Sequence, residues 1–143
     1  MTQVIPSLSV VIPCLNESER LPLLLADLQQ GSSNHELVIA DGGSIDGSLA
    51  IARLSGAHVI AVEPAGRGHQ LAAGARQASG TWLLFLHADS RLPKTWAEHI
   101  RSVLLSPQAA ASAWYFDLQI QPGTPMRHLL AKAVALPRRW LTR

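Results

Sequence analysis

Four short apolar runs, rich in β-branched and aromatic residues, punctuate the N-terminal part of the chain: Leu8–Ile12, Glu36–Ala40, His58–Val62 and Thr81–Leu86. They are apolar at consecutive positions rather than alternate ones, so a strand built from them needs cover on both faces. Helical segments separate them. Leu21, Leu24, Leu25 and Leu28 recur at i, i+3, i+4 and i+7, which predicts a helix over 18–30 with Pro22 in its first turn and Gly31 at its end. Asp41-Gly42-Gly43-Ser44 reads as a turn, after which Ser44 or Asp46 caps a helix running to about Ser55 and stopped by Gly56. A loop over Pro64–Gly68 precedes an Ala-rich helix, Gln70–Ser79, closed by Gly80. A helix over Lys94–Leu105 and a strand within Ala111–Ile120 follow.

This order of strands and helices, joined by short connections, predicts an α/β fold with a mainly parallel sheet and helices on both faces. Ligands of such sheets bind outside the carboxyl ends of the strands. The polar residues that follow the strands are Asn16 and Glu17, Asp41, Glu63, and His87 and Asp89. They are therefore expected along one edge.

The chain has 143 residues, 48% hydrophobic and 15% charged, enough for one packed domain and unlike a disordered chain. Its lone cysteine, Cys14, excludes an intramolecular disulfide. No apolar run approaches the roughly 20 residues of a membrane span, and Met1–Ser7 lacks the regions of a signal peptide, so a cytoplasmic location is expected. Charge is uneven. Residues 1–117 hold ten acids and seven Lys/Arg, a net of −3, whereas residues 118–143 hold five basic residues and no acid. The segment 121–143 is read as a basic helical extension of a domain over 8–120. Within it Met126–Arg143 forms an amphipathic helix interrupted at Pro137, with Leu129, Leu130, Ala133, Val134 and Leu136 along one side. It could lie on an anionic membrane at the inner face of the cell membrane, or it is simply a solvated helix end.

Asp89 closes an apolar strand, where a carboxylate can hold a divalent cation on a diphosphate or can merely cap the next helix. His87 is a weaker candidate ligand. Asp41, before two glycines, can accept hydrogen bonds from a base or ribose, or can stabilise its own turn. Arg67, between Gly66 and Gly68, can pair with a phosphate; the surrounding pattern is neither a dinucleotide fingerprint nor a P-loop.

In sequence, Ser9-Val10-Val11-Ile12-Pro13-Cys14-Leu15-Asn16-Glu17, Asp41-Gly42-Gly43-Ser44-Ile45-Asp46-Gly47-Ser48 and Thr81 through Asp89 resemble the ordered motifs of the family-2 glycosyltransferases. Gly66-Arg67-Gly68-His69-Gln70 with His87-Ala88-Asp89-Ser90 resembles the subgroup associated with arsenosugar and carotenoid-type glycosylation. The resemblance implies a Rossmann-like GT-A sandwich and an inverting, metal-assisted transfer from a nucleotide-diphosphate sugar. It implies that Pro13, Glu17 and Asp41 contact the nucleoside, that Arg67 lies near the phosphates or sugar, and that Asp89, with His87 as a weak second ligand, holds Mg2+ or Mn2+. Three positions depart from the pattern: Gly42 replaces the second acid of the turn, His87 the first acid of Asp-x-Asp, and Ala72 a frequent Asn.

An inverting enzyme needs a general base, which the family places well beyond the metal motif. Here the acids after Asp89 are Glu98 and Asp117, and neither has that context. The base is thus expected beyond Arg143, and the chain is read as the donor-binding half of a shortened member. The acceptor is unassigned, with a lipid as one candidate. No nucleic-acid partner is expected, and apolar surface around Trp114, Phe116 and Leu118 would favour a homo-oligomer. The alternative is a non-catalytic nucleotide-sugar-binding module of the same fold. A nucleotidyltransferase would want a Gly-rich, basic loop after the first strand, where Cys14-Leu15-Asn16-Glu17 stands instead.

Overall fold

In the computed structural model, residues 6–31, 34–115 and 134–137 are described. Strands β1 (Leu8–Cys14), β2 (His35–Asp41), β3 (His58–Ala61) and β4 (Trp82–Phe85) alternate with helices α1 (Leu21–Gln29), α2 (Ser48–Leu54) and α3 (Arg67–Gln77). Helix α4 (Trp96–Leu104), a 3-10 turn (Ala109–Ala111), β5 (Trp114–Tyr115) and β6 (Val134–Pro137) follow. The strands form one sheet in the order β3-β2-β1-β4-β6-β5. β1, β2, β3 and β4 are parallel, while β6 runs antiparallel to both β4 and β5.

Side chains alternate across the pleat, and each face finds a different partner. Val10, Ile12 and Cys14 of β1, Ile39 of β2, and Trp82 and Leu84 of β4 pack with Leu21, Leu24, Leu25 and Leu28 of α1, Ala52 of α2, and Trp96 and Ile100 of α4. Val11, Val38 and Leu83 turn to the other face and meet Ala75 and Ala78, in and just after α3. The runs of β1, β2 and β4 are thus covered twice, as their composition requires, while the edge strand β3 is only half-buried. The leucine face expected of the first helix is the buried face of α1.

Two expectations change. Arg67 was placed in a loop, but it opens α3, because the Gln70 amide already donates to the Gly66 carbonyl at 2.9 Å. The basic helix expected over Met126–Arg143 is not helical where it is described. Val134–Pro137 is a strand, with Val134 opposite Phe85 and Pro137 opposite Trp82. The apolar run there satisfies helical and strand patterns alike, and the open edge of β4 decides between them by offering unpaired N–H and C=O groups. The domain boundary drawn at 120 therefore does not separate these four residues from the sheet. Residues 126–133 and 138–143 of that expected helix, and 116–120 of the expected last strand, lie outside the described residues. No helix among the described residues is long and apolar enough to cross a membrane.

Candidate nucleotide-sugar site

The chain builds from β1 outward to β3, then returns to place β4 on the other side of β1. Strand order thus reverses between β1 and β4, and a crevice opens where such a reversal occurs at the carboxyl ends. It encloses about 360 Å³ and is lined by residues of the β1 end and following loop (Pro13, Cys14, Leu15, Glu17, Arg20), the α3 start (Ala65, Gly66, Arg67, Gln70) and the β4 end (His87, Ala88, Asp89). A smaller cavity of about 240 Å³ lies at the opposite edge, between the ends of α1 and α2. Its lining of leucines, His35, Glu36 and His58 brings no Lys or Arg, so it is a poor match for a phosphate.

Three local devices shape the crevice. The loop after β1 is clipped to the turn after β2. Asn16, at φ 54°, donates its N–H to the Ser44 hydroxyl oxygen (2.9 Å), and its side-chain oxygen accepts from the Ile45 N–H (2.9 Å). The Glu17 N–H donates to Ser48 Oγ at 2.8 Å and the Ser18 N–H to Asp46 Oδ2 at 3.0 Å. Asp46 also accepts from the Ser48 hydroxyl and N–H, and these bonds hold its carboxyl well below the usual carboxylate range. Asp46 is therefore a turn and loop brace, ahead of α2.

The second device pins the β4 loop. Asp27, on the buried face of α1, accepts from Arg91 Nε (2.7 Å), Arg91 Nη2 (3.0 Å) and the Leu92 N–H (3.0 Å). Its backbone carbonyl accepts from Trp96 Nε1 at 2.9 Å. Ala88 is buried in the core, with His87 and Asp89 on either side of it in the crevice lining. The third device is Gln70, a buried side chain whose Nε2 donates to the carbonyls of Cys14 and Ala40, both at 2.8 Å.

Pro13, Glu17, Arg67, His87 and Asp89 are thus brought together. Asp41 is not. It stands at the end of β2, 3% exposed, and its carboxylate accepts from the Gly43 N–H, the Ser44 N–H (both 2.9 Å) and the Ser44 hydroxyl. Gly43, at φ 96°, makes that turn possible. Of the two roles open to Asp41 from sequence, the described geometry is that of the turn brace. Arg20 lines the crevice without having been singled out, and Gln70 is named only within the subgroup motif, with no role of its own. Arg20 sits in a charged stretch that gives no directional signal, and Gln70 looks like one polar residue in an Ala-rich helix.

Burial, reinforced by the Arg67 guanidinium and opposed by Asp89, holds the His87 imidazole below its ordinary pKa. The shift favours the neutral ring, which has a lone pair to offer. Burial pushes the Cys14 thiol up, so it is no thiolate. Among the described residues no group of three His, Cys, Asp or Glu could cage a metal ion. The donor set therefore fits a hard dication only where a ligand supplies most of the oxygens, as a diphosphate does.

The glycosyl transferase family 2 model matches residues 9–139. A PGL/p-HBAD biosynthesis glycosyltransferase of Mycobacterium tuberculosis is 38% identical over 94 residues, covering 61% of this chain and 37% of that protein. The 4,4'-diaponeurosporenoate glycosyltransferase of Staphylococcus haemolyticus is 34% identical over 137 residues, 87% of this chain and 35% of that protein. The chain thus matches little more than a third of the length of these relatives. Among solved structures, S. aureus TarS 1–349 in complex with UDP-GlcNAc superposes with a TM-score of 0.78 at 18% identity, over 94% of this chain and 46% of that one. The mannosyltransferase PcManGT from Pyrobaculum calidifontis, in complex with GDP-Man and Mn2+, gives 0.73 at 20% identity, over 97% and 46%. The fold is the GT-A fold of these enzymes, and with the ordered strand-end motifs and the matching family model, the chain belongs to glycosyl transferase family 2.

Proposed function

We propose that this chain binds a nucleoside-diphosphate sugar in the crevice between β1 and β4 and serves as the donor-binding part of an inverting glycosyltransferase. The observation that carries the reading is the meeting of Arg67, His87 and Asp89 in one crevice at the strand-order reversal. Asp89 would hold Mg2+ or Mn2+, with His87 as a second, weaker donor. When bound, the ion neutralises charge on the departing diphosphate. Arg67 is planar and always charged, and it opens α3, where unpaired N–H groups also favour an anion. Pro13 and Glu17 border the nucleoside on the β1 side. Asp41 acts through the turn it braces.

Among the described residues the only acid after Asp89 is Glu98, exposed in the first turn of α4. Proton abstraction from the acceptor is therefore assigned to a group outside them. The five basic residues of 118–143 support a lipid-borne acceptor at an anionic membrane face, with the chain cytoplasmic and peripheral there. Sedimentation with anionic vesicles at low salt tests that placement, and no binding refutes it.

The donor reading is tested by calorimetry with UDP and GDP, with Mn2+ and with EDTA. Metal-dependent binding is expected, and Asp89→Ala should abolish the metal-dependent part. Equal binding in EDTA would remove the metal from the reading.

A further inference from the structure

Gln70 is 4% exposed and lies in the first turns of α3. Its amide donates to two main-chain carbonyls, Cys14 O and Ala40 O, each at 2.8 Å. Both partners can only accept, so the amide has one orientation: flipped, its oxygen would face two other oxygens. β1 and β2 pair here, with Pro13 opposite Ala40 and Cys14 opposite Asp41, so one side chain ties the ends of two strands. Both N–H groups are used by these bonds. What Gln70 has left to give a ligand is the acceptor Oε1, on a residue that lines the crevice beside Cys14, Gly66 and Arg67.

Gly42 belongs to the same arrangement. A Cβ there would lie 3.2 Å from Gln70 Nε2, 3.3 Å from Gln70 Cδ and 3.2 Å from the Ala65 Cβ. The amide thus stands where a side chain at 42 would enter. Position 42 is also where the family-2 pattern resembled by this turn has its second acid. The second acid of that pattern is absent at position 42, and the neutral amide group of Gln70 occupies the adjoining space.

We propose that Gln70 is a specificity-determining residue of the donor crevice: Oε1 accepts a hydrogen bond from an N–H or O–H group of the nucleoside, while Nε2 holds the ends of β1 and β2. The inference rests on the donor reading and deepens it. A site that presents a fixed acceptor discriminates against an analogue lacking the matching donor, because the acceptor is then left unpaired. The donor is either the imide N–H of the base or a ribose hydroxyl, and methylation of the imide nitrogen or removal of the 2′-hydroxyl separates the two.

The experiment is calorimetry with Mn2+ on wild type and Gln70→Met, using UDP, N3-methyl-UDP and 2′-deoxy-UDP, or the corresponding GDP series if GDP binds better. Wild type should bind one analogue about tenfold more weakly than the parent, as expected for a lost hydrogen bond of roughly that strength. In Gln70→Met that ratio should collapse to about one. Gly42→Ala, which crowds the amide without removing it, should reduce the ratio in the same direction and keeps the test open if Gln70→Met does not fold. Parent binding with the same ratio in wild type and both variants would overturn the role of Gln70 alone. Failure of wild type to bind UDP or GDP at all would instead overturn the donor reading, and this inference with it.

Discussion

Replacing a glycine inside an exposed helix by alanine ordinarily stabilises a protein, by up to about 1 kcal/mol. Gly74→Ala in α3 should do the opposite. An added Cβ would stand 2.4 Å from Val11 Cγ1, with the Ala40 Cβ 3.7 Å away. Comfortable carbon–carbon contact lies near ~3.5–4.0 Å, so the deficit is about 1.1–1.6 Å. Val11 has no room to yield, since it is fully buried on β1, with β2 on one side and β4 on the other. The helix must lift instead, loosening Ala75 and Ala78 from Val38 and Leu83. Overpacking costs about 1–3 kcal/mol, and a deficit this large belongs at the upper end, about 2–3 kcal/mol, so that a net loss of about 1–2 kcal/mol is left after the propensity gain. For a domain of this size that is a fall in Tm of roughly 3–8 °C. Arg67 and Gln70 ride on α3, so nucleotide affinity should fall with it. The assay is thermal and urea unfolding of Gly74→Ala in two backgrounds. In Val11→Ala, which lacks Cγ1, the same change should be neutral or stabilising. A Gly74→Ala protein as stable as wild type in the Val11 background would refute the packing argument.

Two further outcomes are expected. The Arg91 hydrogen bonds hold the Asp27 carboxyl below its ordinary pKa, with the Leu92 N–H adding to the effect. A lowered folded pKa means the stabilisation is complete above the unfolded value, near ~4, and is lost as pH falls through the folded value. Asp27→Asn should therefore cost about 1–2 kcal/mol near pH 7, with solvent around the exposed Arg91 moderating the loss, and the gap to wild type should narrow steadily as pH falls below about 4; a gap that stays constant or widens would contradict the assignment. The buried Cys14 thiol should label slowly with a disulfide reagent at pH 8 and completely in denaturant. Labelling at the same rate in both would mean that β1 is not packed as described.

The readability of the site varies residue by residue. Glu17, His87 and Asp89 converge because each follows a strand at the same sheet edge, a consequence of α/β topology that needs only the order of elements, whereas Pro13, within β1, is marked by the family resemblance and Arg67 by its flanking glycines. Asp41 satisfies the same rule and yet faces its own turn. Whether an Asp before glycines looks outward or inward depends on which N–H groups the turn leaves unpaired, and that is settled by the positive φ of Gly43. The subgroup motif includes Gln70 but assigns it no role, because its role comes from two carbonyls, 56 and 30 residues away in sequence.

What the sequence by itself determined is local and periodic. Apolar runs too uniform for a one-sided strand, leucines at helical spacing in α1, and glycines at turns specify the elements and hence the parallel, doubly covered core. What only the tertiary structure decided is which of two compatible local states a segment adopts and which polar groups meet. Val134–Pro137 joins the sheet because β4 presents an open edge there, although Val134 and Leu136 also fit a helical stripe. Asp27 becomes the staple of the β4 loop because Arg91, Leu92 and Trp96 arrive at its end of α1. The physical reason is common to these cases. Helix and strand periodicities are short-range, whereas strand-edge pairing and buried hydrogen bonds are satisfied by groups that chain folding alone brings within about 3 Å of one another.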